Sequence, residues 1–237
     1  MINVYYGCWS SNNKNKNERP QQYVEQPIPV IKTLIKSTGL DVNNELFKCP
    51  ALKDFVFNLY QIVATYDYTL LWDGKELSSP NYDQNFYDKN VIGRELKSGF
   101  FGYEEPPIYL FADCDKLEVT VLPVIFEKNK FDAITIPGVF DIANHLRKLE
   151  LAVILNKPNE AFNITPGMPL YYVKFNTKEK INFIRFQFTQ ELFDLLEPLL
   201  KCKQYTKNII PLNWYYKIVR RYYKKKYLEI IKKNILN

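Results

Sequence analysis

Short apolar runs occupy the central part of the chain, and their composition is typical of β-strands. In KINFIRFQF (180–188), apolar Ile181 and Phe183 alternate with polar Asn182 and Arg185. Alternation with a period of two places apolar side chains on one face of a strand. Similar runs, rich in β-branched and aromatic residues and separated by turn residues, predict strands over Ile108–Ala112, Leu117–Ile125, Leu149–Leu155, Ala161–Ile164, Leu170–Phe175 and Ile181–Phe188. Because no helix alternates with them, the pattern predicts a mainly β body of the sandwich, jelly-roll or β-roll type.

The segment that precedes these strands divides into a helix, two strands and a turn. A helix is predicted over Pro50–Asn58, because proline suits the first helical turn and apolar residues follow at helical spacing. Strands are predicted over Tyr60–Ala64 and Tyr66–Trp72, and Asp73-Gly74 is typical of the turn that ends the second. The next stretch, 78–102, is polar and aromatic without a period, which predicts a long loop that is an insertion or a contact surface.

Two α-helices are predicted at the C-terminus. Thr189 suits the cap of a helix that runs to about Lys203. A second helix follows over Leu212–Ile235, with cationic residues on its other faces and an apolar, aromatic stripe made of Leu212, Tyr215, Tyr216, Val219, Tyr223, Tyr227 and Ile230. This last helix is therefore amphipathic and basic.

The N-terminal part of the chain is predicted to be an extended arm. Val4–Trp9 is a short strand candidate, and Pro20, Pro27 and Pro29 keep the later part extended. Because this segment has too little periodic apolar content to fold alone, we expect it to lie along the surface of the body or of a neighbour. The predicted organisation is an arm over 1–44, a mainly β body over 45–188 and a helical segment over 189–237.

Charge is distributed unevenly along the chain. From Lys201 to Asn237 there are nine lysines and two arginines against one acid, Glu229, which gives a net charge of +10. The first 200 residues carry 21 basic and 25 acidic groups, a net charge of −4. The simplest interpretation of this basic helix is that its tyrosine stripe packs on the body while its cationic face is only solvated. The alternative is an anionic partner, and its candidate contacts are Lys217, Arg220, Arg221, Lys224, Lys225 and Lys226.

Three kinds of partner suit this helix. The interleaved cations and aromatic residues of RRYYKKKY could bind phosphates and stack on bases. An acidic protein surface, or the acidic body of the chain itself, would use the aromatic stripe as a packing face and is the favoured prediction. An anionic membrane surface is the third.

A single histidine, His145, limits the chemistry that the chain can perform. Iron sites of the facial-triad type need two imidazoles, and zinc hydrolase sites usually need two or three. Neither a phosphate-binding glycine loop nor a recognisable nucleophile motif is present in the sequence. The sequence therefore predicts a protein that is not an enzyme and that needs neither a cofactor nor a metal.

The most site-like segment is the loop IPGVFDIANHLRKLE, which contains Asp141, His145 and Arg147. On a helical turn, Asp141 and His145 would face the same side and could act as a base and its orienting group. The simpler interpretation is an edge loop in which the aspartate caps a turn and the histidine is partly exposed.

A second turn, in ITPGMPLYYVKF, leaves a small-molecule enzyme open as an alternative. Gly167 is expected to supply a positive φ there. Similar turns occur in cupin-like and dUTPase-like β-folds, but the further histidines of a cupin and the nucleotide motifs of a dUTPase are missing from the sequence. A structural turn is the favoured interpretation.

Cysteine usage and hydropathy predict a soluble protein of a reducing cytoplasm. The four cysteines lie far apart, without metal-ligand spacing, which predicts free and partly buried thiols. The N-terminus has no basic region followed by an apolar run, so no secretory signal is expected. No window approaches the ~18 apolar residues of a membrane span.

Several segments together resemble an uncharacterised protein family of tailed phages that infect marine cyanobacteria and similar hosts. The resemblance rests on CPALKDFVFNLYQIVATYDYTL, IPGVFDIANHLRKLELAVIL, ITPGMPLYYVKFNT and KINFIRFQFT. It implies a phage source and a non-enzymatic structural or interaction role, with a virion component as the leading hypothesis. A host-takeover or nucleic-acid-binding protein is the alternative. The implied location is the host cytoplasm during infection and the virion, with other proteins as partners.

Overall fold

The computed structural model of the chain is mainly β. It describes residues 1–8, 25–39, 43–80, 91–103, 108–126, 133–197 and 212–236. The strands among these residues are β1 Ile2–Cys8, β2 Ile28–Pro29, β3 Leu59–Val63, β4 Tyr68–Trp72, β5 Leu77–Ser78, β6 Val91–Glu95, β7 Phe100–Tyr103, β8 Ile108–Ala112, β9 Glu118–Leu122, β10 Ala133–Thr135, β11 Gly138–Asp141, β12 Arg147–Lys148, β13 Leu151–Leu155, β14 Ala161–Ile164, β15 Pro169–Phe175 and β16 Ile181–Arg185. The helices are α1 Val30–Thr38, α2 Glu45–Lys48, α3 Pro50–Val56, a short 3-10 helix Leu96–Ser98, α4 over 190–197 and α5 Leu212–Lys233.

These strands form four sheets. Sheet 1 has the order β12-β8-β1-β16, and sheet 2 has the order β11-β9-β15-β3-β2. Sheet 3 is β14-β4-β5, and sheet 4 is β10-β13-β7-β6. Within the described residues, β1 and β16 pair in parallel and the other strand pairs are antiparallel.

Alternation within the strands explains how the sheets pack. Val4 and Tyr6 of β1 belong to a large apolar core to which all four sheets contribute. Tyr5, between them, faces the other side of sheet 1 and joins a second cluster with α4 and α5. Sheet 1 is therefore covered on both faces, and its outer face is the one that the C-terminal helices bury.

The first strand corrects the prediction of a surface arm. Ile2–Cys8 lies inside sheet 1, paired with β16 on one side and with β8 on the other. Its centre is buried, with Val4 0% exposed. The physical reason is that β8 and β16 pair with the two backbone edges of β1, while the main core and the C-terminal helices cover its two faces, and its own sequence reveals neither. Residues 9–24 of the predicted arm lie outside the described part of the chain.

The second correction to the arm is helix α1, which begins directly after Pro29. Pro29 has φ −56° and fits the position before a helix, so proline here starts a helix and does not prolong an extended stretch. Val30 and Leu34, one turn apart, are buried, and Val30 packs with Leu59 and Tyr172 on the outer face of sheet 2. The helix ends at Gly39, whose φ of 65° lets its N–H reach the carbonyl of Ile35.

The stretch 78–102 is not simply a loop, because its described part contains the hairpin β6–β7. Strand β7 lies between β13 and β6, and Phe101 is 0% exposed in the main core. Gly99, at φ 69°, makes the tight entry to β7. Residues 81–90 lie outside the described residues.

Several of the other predicted strands, and the helix at Pro50, agree closely with the structure, whereas residues 198–203 of the first predicted C-terminal helix lie outside the described residues. The helix at Pro50 is α3, the strand predicted over Ile108–Ala112 is β8, and the one over Ala161–Ile164 is β14. Asp73 closes the β4–β5 turn by accepting bonds from the backbone N–H groups of Lys75 and Glu76, both at 2.7 Å. The mainly β character of the body is confirmed.

Candidate functional site

Helix α5 packs one face on the outer side of sheet 1. Tyr227, Ile230 and Ile231 are 1%, 3% and 0% exposed and share a cluster with Tyr5 and Phe111. The rings of Phe111 and Tyr227 meet edge to face, with centroids 6.0 Å apart. The C-terminal half of the predicted aromatic stripe is therefore a packing face against the chain's own body.

Polar contacts add to this apolar docking. The Lys232 ammonium lies 2.7 Å from a carboxylate oxygen of Asp113, and the Lys224 ammonium donates to the carbonyl of Cys114 at 2.6 Å. Hydrogen bonding to Asp113 raises the pKa of Lys232, because it favours the charged ammonium. Beyond the helix, Phe186 and Ile235 form an antiparallel bridge.

The opposite face of α5 presents cations and large aromatic side chains to solvent. Trp214 is 54% exposed and Tyr222 is 65% exposed. Arg221, Lys225 and Lys226 are also exposed, and none of the three is ion-paired with a described residue. Helical spacing places Trp214, Arg221 and Lys225 on one stripe, because they are seven and four residues apart.

The aromatic and cationic groups of this outer face lie close together. The guanidinium carbon of Arg221 lies 5.7 Å from the ring centroid of Tyr222. Of the six predicted contacts, Lys224 is partly engaged on the body, while the side chains of Lys217 and Arg220 lie outside the described part of the structure. We call the set Trp214, Arg221, Tyr222, Lys225 and Lys226 the outer face of α5.

The loop around Asp141 adopts the simpler of its two predicted structures. Residues 143–145 form a bend and not a helical turn, so the alternative that would place Asp141 and His145 on one side of a helix is wrong. One oxygen of Asp141 accepts bonds from the backbone N–H groups of Ala143 and Asn144, at 3.0 and 3.1 Å, and the other accepts from the Asn144 amide at 2.7 Å. The carboxylate caps the turn, as the structural interpretation predicts.

The other two residues of this loop occupy separate environments. His145 is 8% exposed, so it is buried and not partly exposed as predicted. The bend turns its side chain inward, where the neighbouring Leu146 is also buried. Arg147 lies in β12, with its guanidinium carbon 5.7 Å from the ring centroid of Phe140.

The ITPG turn has the expected backbone geometry. Gly167 has φ 81°, and the N–H of Met168 donates to the carbonyl of Thr165 at 3.0 Å. The turn joins β14 to β15, and the N–H of Gly167 is bonded to the carbonyl of Ala64. Its described contacts are those of a structural turn.

Thiols and acidic groups were the other candidates for reactive or metal-binding chemistry. Among the described residues, Cys8, Cys49 and Cys114 form no disulfide, and Cys202 lies outside those residues. Burial raises the pKa of Cys114, although the nearby Lys224 ammonium opposes the shift. In the part of the chain that the structure describes, no three His, Cys, Asp or Glu residues are grouped to hold a metal ion.

Sequence reasoning missed a pocket beside the N-terminal helices. It lies between α1, α2, α3 and the starts of β3 and β16, and its volume is about 590 Å³. Apolar side chains form most of its lining, and Lys53 and Lys180 contribute the cations. The only sequence signal for it is that Ile31 and Ile35 repeat at helical spacing next to the buried pair Val30 and Leu34.

Comparison with known proteins does not identify a family for this chain. Protein-family models, curated proteins and solved structures give no match to the chain. Among the described residues, none of the helices has the length and apolar character that crossing a membrane requires.

Proposed function

We propose that this chain is a non-enzymatic interaction protein that binds an acidic protein surface through the outer face of α5. The observation that carries the proposal is the exposure of Trp214 and Tyr222 beside Arg221 and Lys225, on a helix whose other face is already buried. A helix that only covered sheet 1 would gain nothing from two large aromatic side chains in water. Aromatic residues and arginine are the types enriched at the centres of protein interfaces.

The arrangement of the site loop supports a binding role over catalysis. Both oxygens of Asp141 accept hydrogen bonds that cap its own turn, so the carboxylate has a structural role. His145, the single histidine, is 8% exposed. A general base must reach the proton that it removes, and a buried imidazole beside a capped turn offers substrate little access.

Nucleic acid is the second candidate partner, because exposed Trp214 and Tyr222 could stack on bases while the cations contact phosphates. Two features favour protein. The first 200 residues carry a net charge of −4, so the body repels a polyanion that extends beyond α5. The described cations of the outer face are also confined to a single helix.

The setting that we propose is a phage particle, with the chain as a virion component present in the host cytoplasm during infection. This part of the proposal rests on the resemblance to the tailed-phage family. A body of the sandwich, jelly-roll or β-roll type belongs to the same proposal, and the core shared by the four sheets supports it. The segments that we propose as further contacts, 9–24 and 81–90, lie outside the described residues.

Mass spectrometry of purified particles tests the setting. We expect the chain in the particle at a fixed ratio to the major structural proteins. Absence from particles together with early expression in infected cells would favour the host-takeover alternative.

Charge reversal on α5 tests the surface. The triple variant Arg221→Glu, Lys225→Glu, Lys226→Glu should prevent incorporation into particles, because it opposes the acidic partner. The matched control Lys75→Glu, Lys97→Glu, Lys178→Glu makes the same charge change at exposed positions elsewhere and should be incorporated normally. Equal incorporation of both variants would show that the outer face is not the contact.

A DNA titration at 50 and 200 mM salt separates the two partners. If the three cations Arg221, Lys225 and Lys226 contact phosphates, affinity should fall about fortyfold between these concentrations, because each contact releases counterions. We expect only weak binding at 200 mM salt. Tight, salt-sensitive binding that is lost on truncation after Asn208 would reverse the preference for protein.

A further inference from the structure

The pocket beside α1, α2 and α3 is separate from the outer face of α5. We propose that it binds an amphipathic organic anion, which is an apolar chain ending in a single carboxylate. The pocket volume of about 590 Å³ lies within the range of roughly 300–1,000 Å³ typical of small-molecule sites. Such sites are lined mostly by apolar side chains with a few polar groups that set the orientation of the ligand.

The walls explain why the ligand should be apolar. Ile31 and Ile35 are one turn apart on α1 and only partly buried, although Val30 and Leu34 beside them are buried, Val30 against sheet 2. The apolar arc of α1 is thus wider than the part that the sheet covers. Across the pocket, Phe57 is in the lining and is 40% exposed. A chain molecule would remove these surfaces from water.

Hydrogen bonds hold in place the backbone where α3, β3 and the start of β16 meet beside the pocket. Asn58, with φ 53°, connects α3 to β3, and its side-chain amide donates to the carbonyls of Thr177 and Glu179 at 3.1 and 2.6 Å. These bonds fix the segment that carries Lys180 against the start of β3. The carbonyl of Lys180 also accepts a bond from the N–H of Ile2 at 2.9 Å. The backbone beneath the cation is therefore positioned before a ligand arrives.

The charge of the pocket points to an anion. Lys53 and Lys180 both line it and are exposed, so they lie on its open side, and none of its lining residues is acidic. Within the described residues, neither lysine has an ion-pair partner. The acidic neighbours act on other cations: Glu179 binds the N-terminal ammonium at 2.7 Å, and the charge of Asp54 acts on Lys174.

A chain-length series tests the apolar part of the proposal. Calorimetric titration of the full chain would use octanoate, decanoate and dodecanoate below their micelle-forming concentrations, with dodecyltrimethylammonium as the cation of matched chain length. Affinity should rise about fourfold for each added methylene, and therefore by roughly 250-fold from octanoate to dodecanoate. The cation should bind at least tenfold more weakly than dodecanoate.

Conservative variants test the lysines without disturbing the fold, because both side chains are exposed. Lys53→Gln and Lys180→Gln should each weaken dodecanoate binding by about two- to fivefold, the range expected for an exposed charge pair. Lys178→Gln is the matched control, since Lys178 is exposed, lies two residues from Lys180 and is not in the pocket lining. Its affinity for dodecanoate should equal that of the unmodified chain.

Four results would overturn the proposal. They are failure of dodecanoate to bind the folded chain, an affinity that does not change with chain length, equal binding of the cation, and an equal effect of Lys178→Gln. If dodecanoate fails to bind, the pocket is more consistent with a contact site for a partner protein. None of them depends on α5, so the outcome is independent of the proposed protein contact.

Discussion

Replacement of Ile231 by alanine tests whether α5 is an integral part of the folded body. Ile231 is 0% exposed and packs in the cluster that contains Tyr5 and Phe111. The change removes three buried carbon atoms at about 0.8 kcal/mol each. The cavity left behind adds to this, and measured Ile→Ala changes in cores cost about 2–5 kcal/mol. We expect a loss of about 3 kcal/mol in the free energy of unfolding.

Thermal unfolding followed by circular dichroism measures this loss. For a chain of this size, each kcal/mol lowers Tm by about 2–4 °C, so Ile231→Ala should lower it by roughly 6–12 °C. Ile235→Ala is the matched control, because it removes the same atoms near the same helix end from a residue that is 41% exposed. Its effect should be less than half as large.

Apolar burial and polar contacts contribute unequally to the stability of α5 on the body. The Lys232–Asp113 pair is 50% and 34% exposed, and such pairs contribute about 0–1 kcal/mol. Burial of Tyr227, Ile230 and Ile231 must therefore hold the helix. Equal Tm values for Ile231→Ala and Ile235→Ala would refute this argument. Loss of helical signal without a shift of the main transition would show instead that α5 unfolds separately.

Two further predictions concern the body. Gly99→Ala should lower Tm more than Gly167→Ala: both glycines have positive φ, but an added Cβ at Gly99 would lie 3.0 Å from the carbonyl oxygen of Leu155, whereas Gly167 has open space around it. Equal shifts would mean that the backbone conformation alone sets the cost, which is then about 1–3 kcal/mol at each position. Tyr171→Phe should leave stability unchanged or raise it by up to ~1 kcal/mol in urea unfolding, because no group among the described residues hydrogen-bonds the buried hydroxyl of Tyr171. A loss above ~1 kcal/mol would show that this hydroxyl is satisfied in solution, for example by water.

The strands of the body were predictable where one sequence run has the composition of a strand and is bounded by turn residues. Ile108–Ala112 and Ala161–Ile164 are rich in the residues that suit a pleated, half-buried surface, and the structure places β8 and β14 there. The pairing of these strands was not predictable. Strand β1 lies beside β16, with Ile2 opposite Ile181, and nothing in either run specifies so distant a neighbour.

The missed or misplaced elements share a physical cause, which is that their stability comes from distant partners. A strand was expected near Ile2–Cys8, but on the surface, and its interior position depends on pairing with β8 and β16 on its two sides. Strand β7 is similar, because Gly102 and Phe101 pair with β13 across a separation of about fifty residues. Short segments of this kind take their structure from tertiary context, which overrides local propensity.

The candidate sites were predictable to different degrees for the same reason. The period of α5 lies within one segment, so its packing stripe could be predicted, and the structure confirms it for Tyr227 and Ile230. The pocket draws its lining from α1, α2, α3 and the start of β16, which meet only after folding. No local pattern could combine them. His145 shows the converse, since its loop was identified from the sequence but its burial, at 8% exposed, was not.

Helix α5 both packs on sheet 1 and presents an exposed surface. Its composition does not show which residues serve each purpose, but its helical period does. Tyr222 and Tyr223 are adjacent in the sequence, yet Tyr222 is 65% exposed while Tyr223 packs at the edge of the buried cluster, with its ring 6.2 Å from that of Tyr227. The difference follows from the ~100° rotation between successive residues, which turns one ring to solvent and the other toward sheet 1. The same basic, aromatic run therefore anchors the helix and presents a surface. The anchoring ring and the exposed ring belong to different residues. A substitution at Tyr222 should therefore weaken binding through the outer face without loosening the helix, whereas a substitution at Tyr223 should lower the stability of the fold.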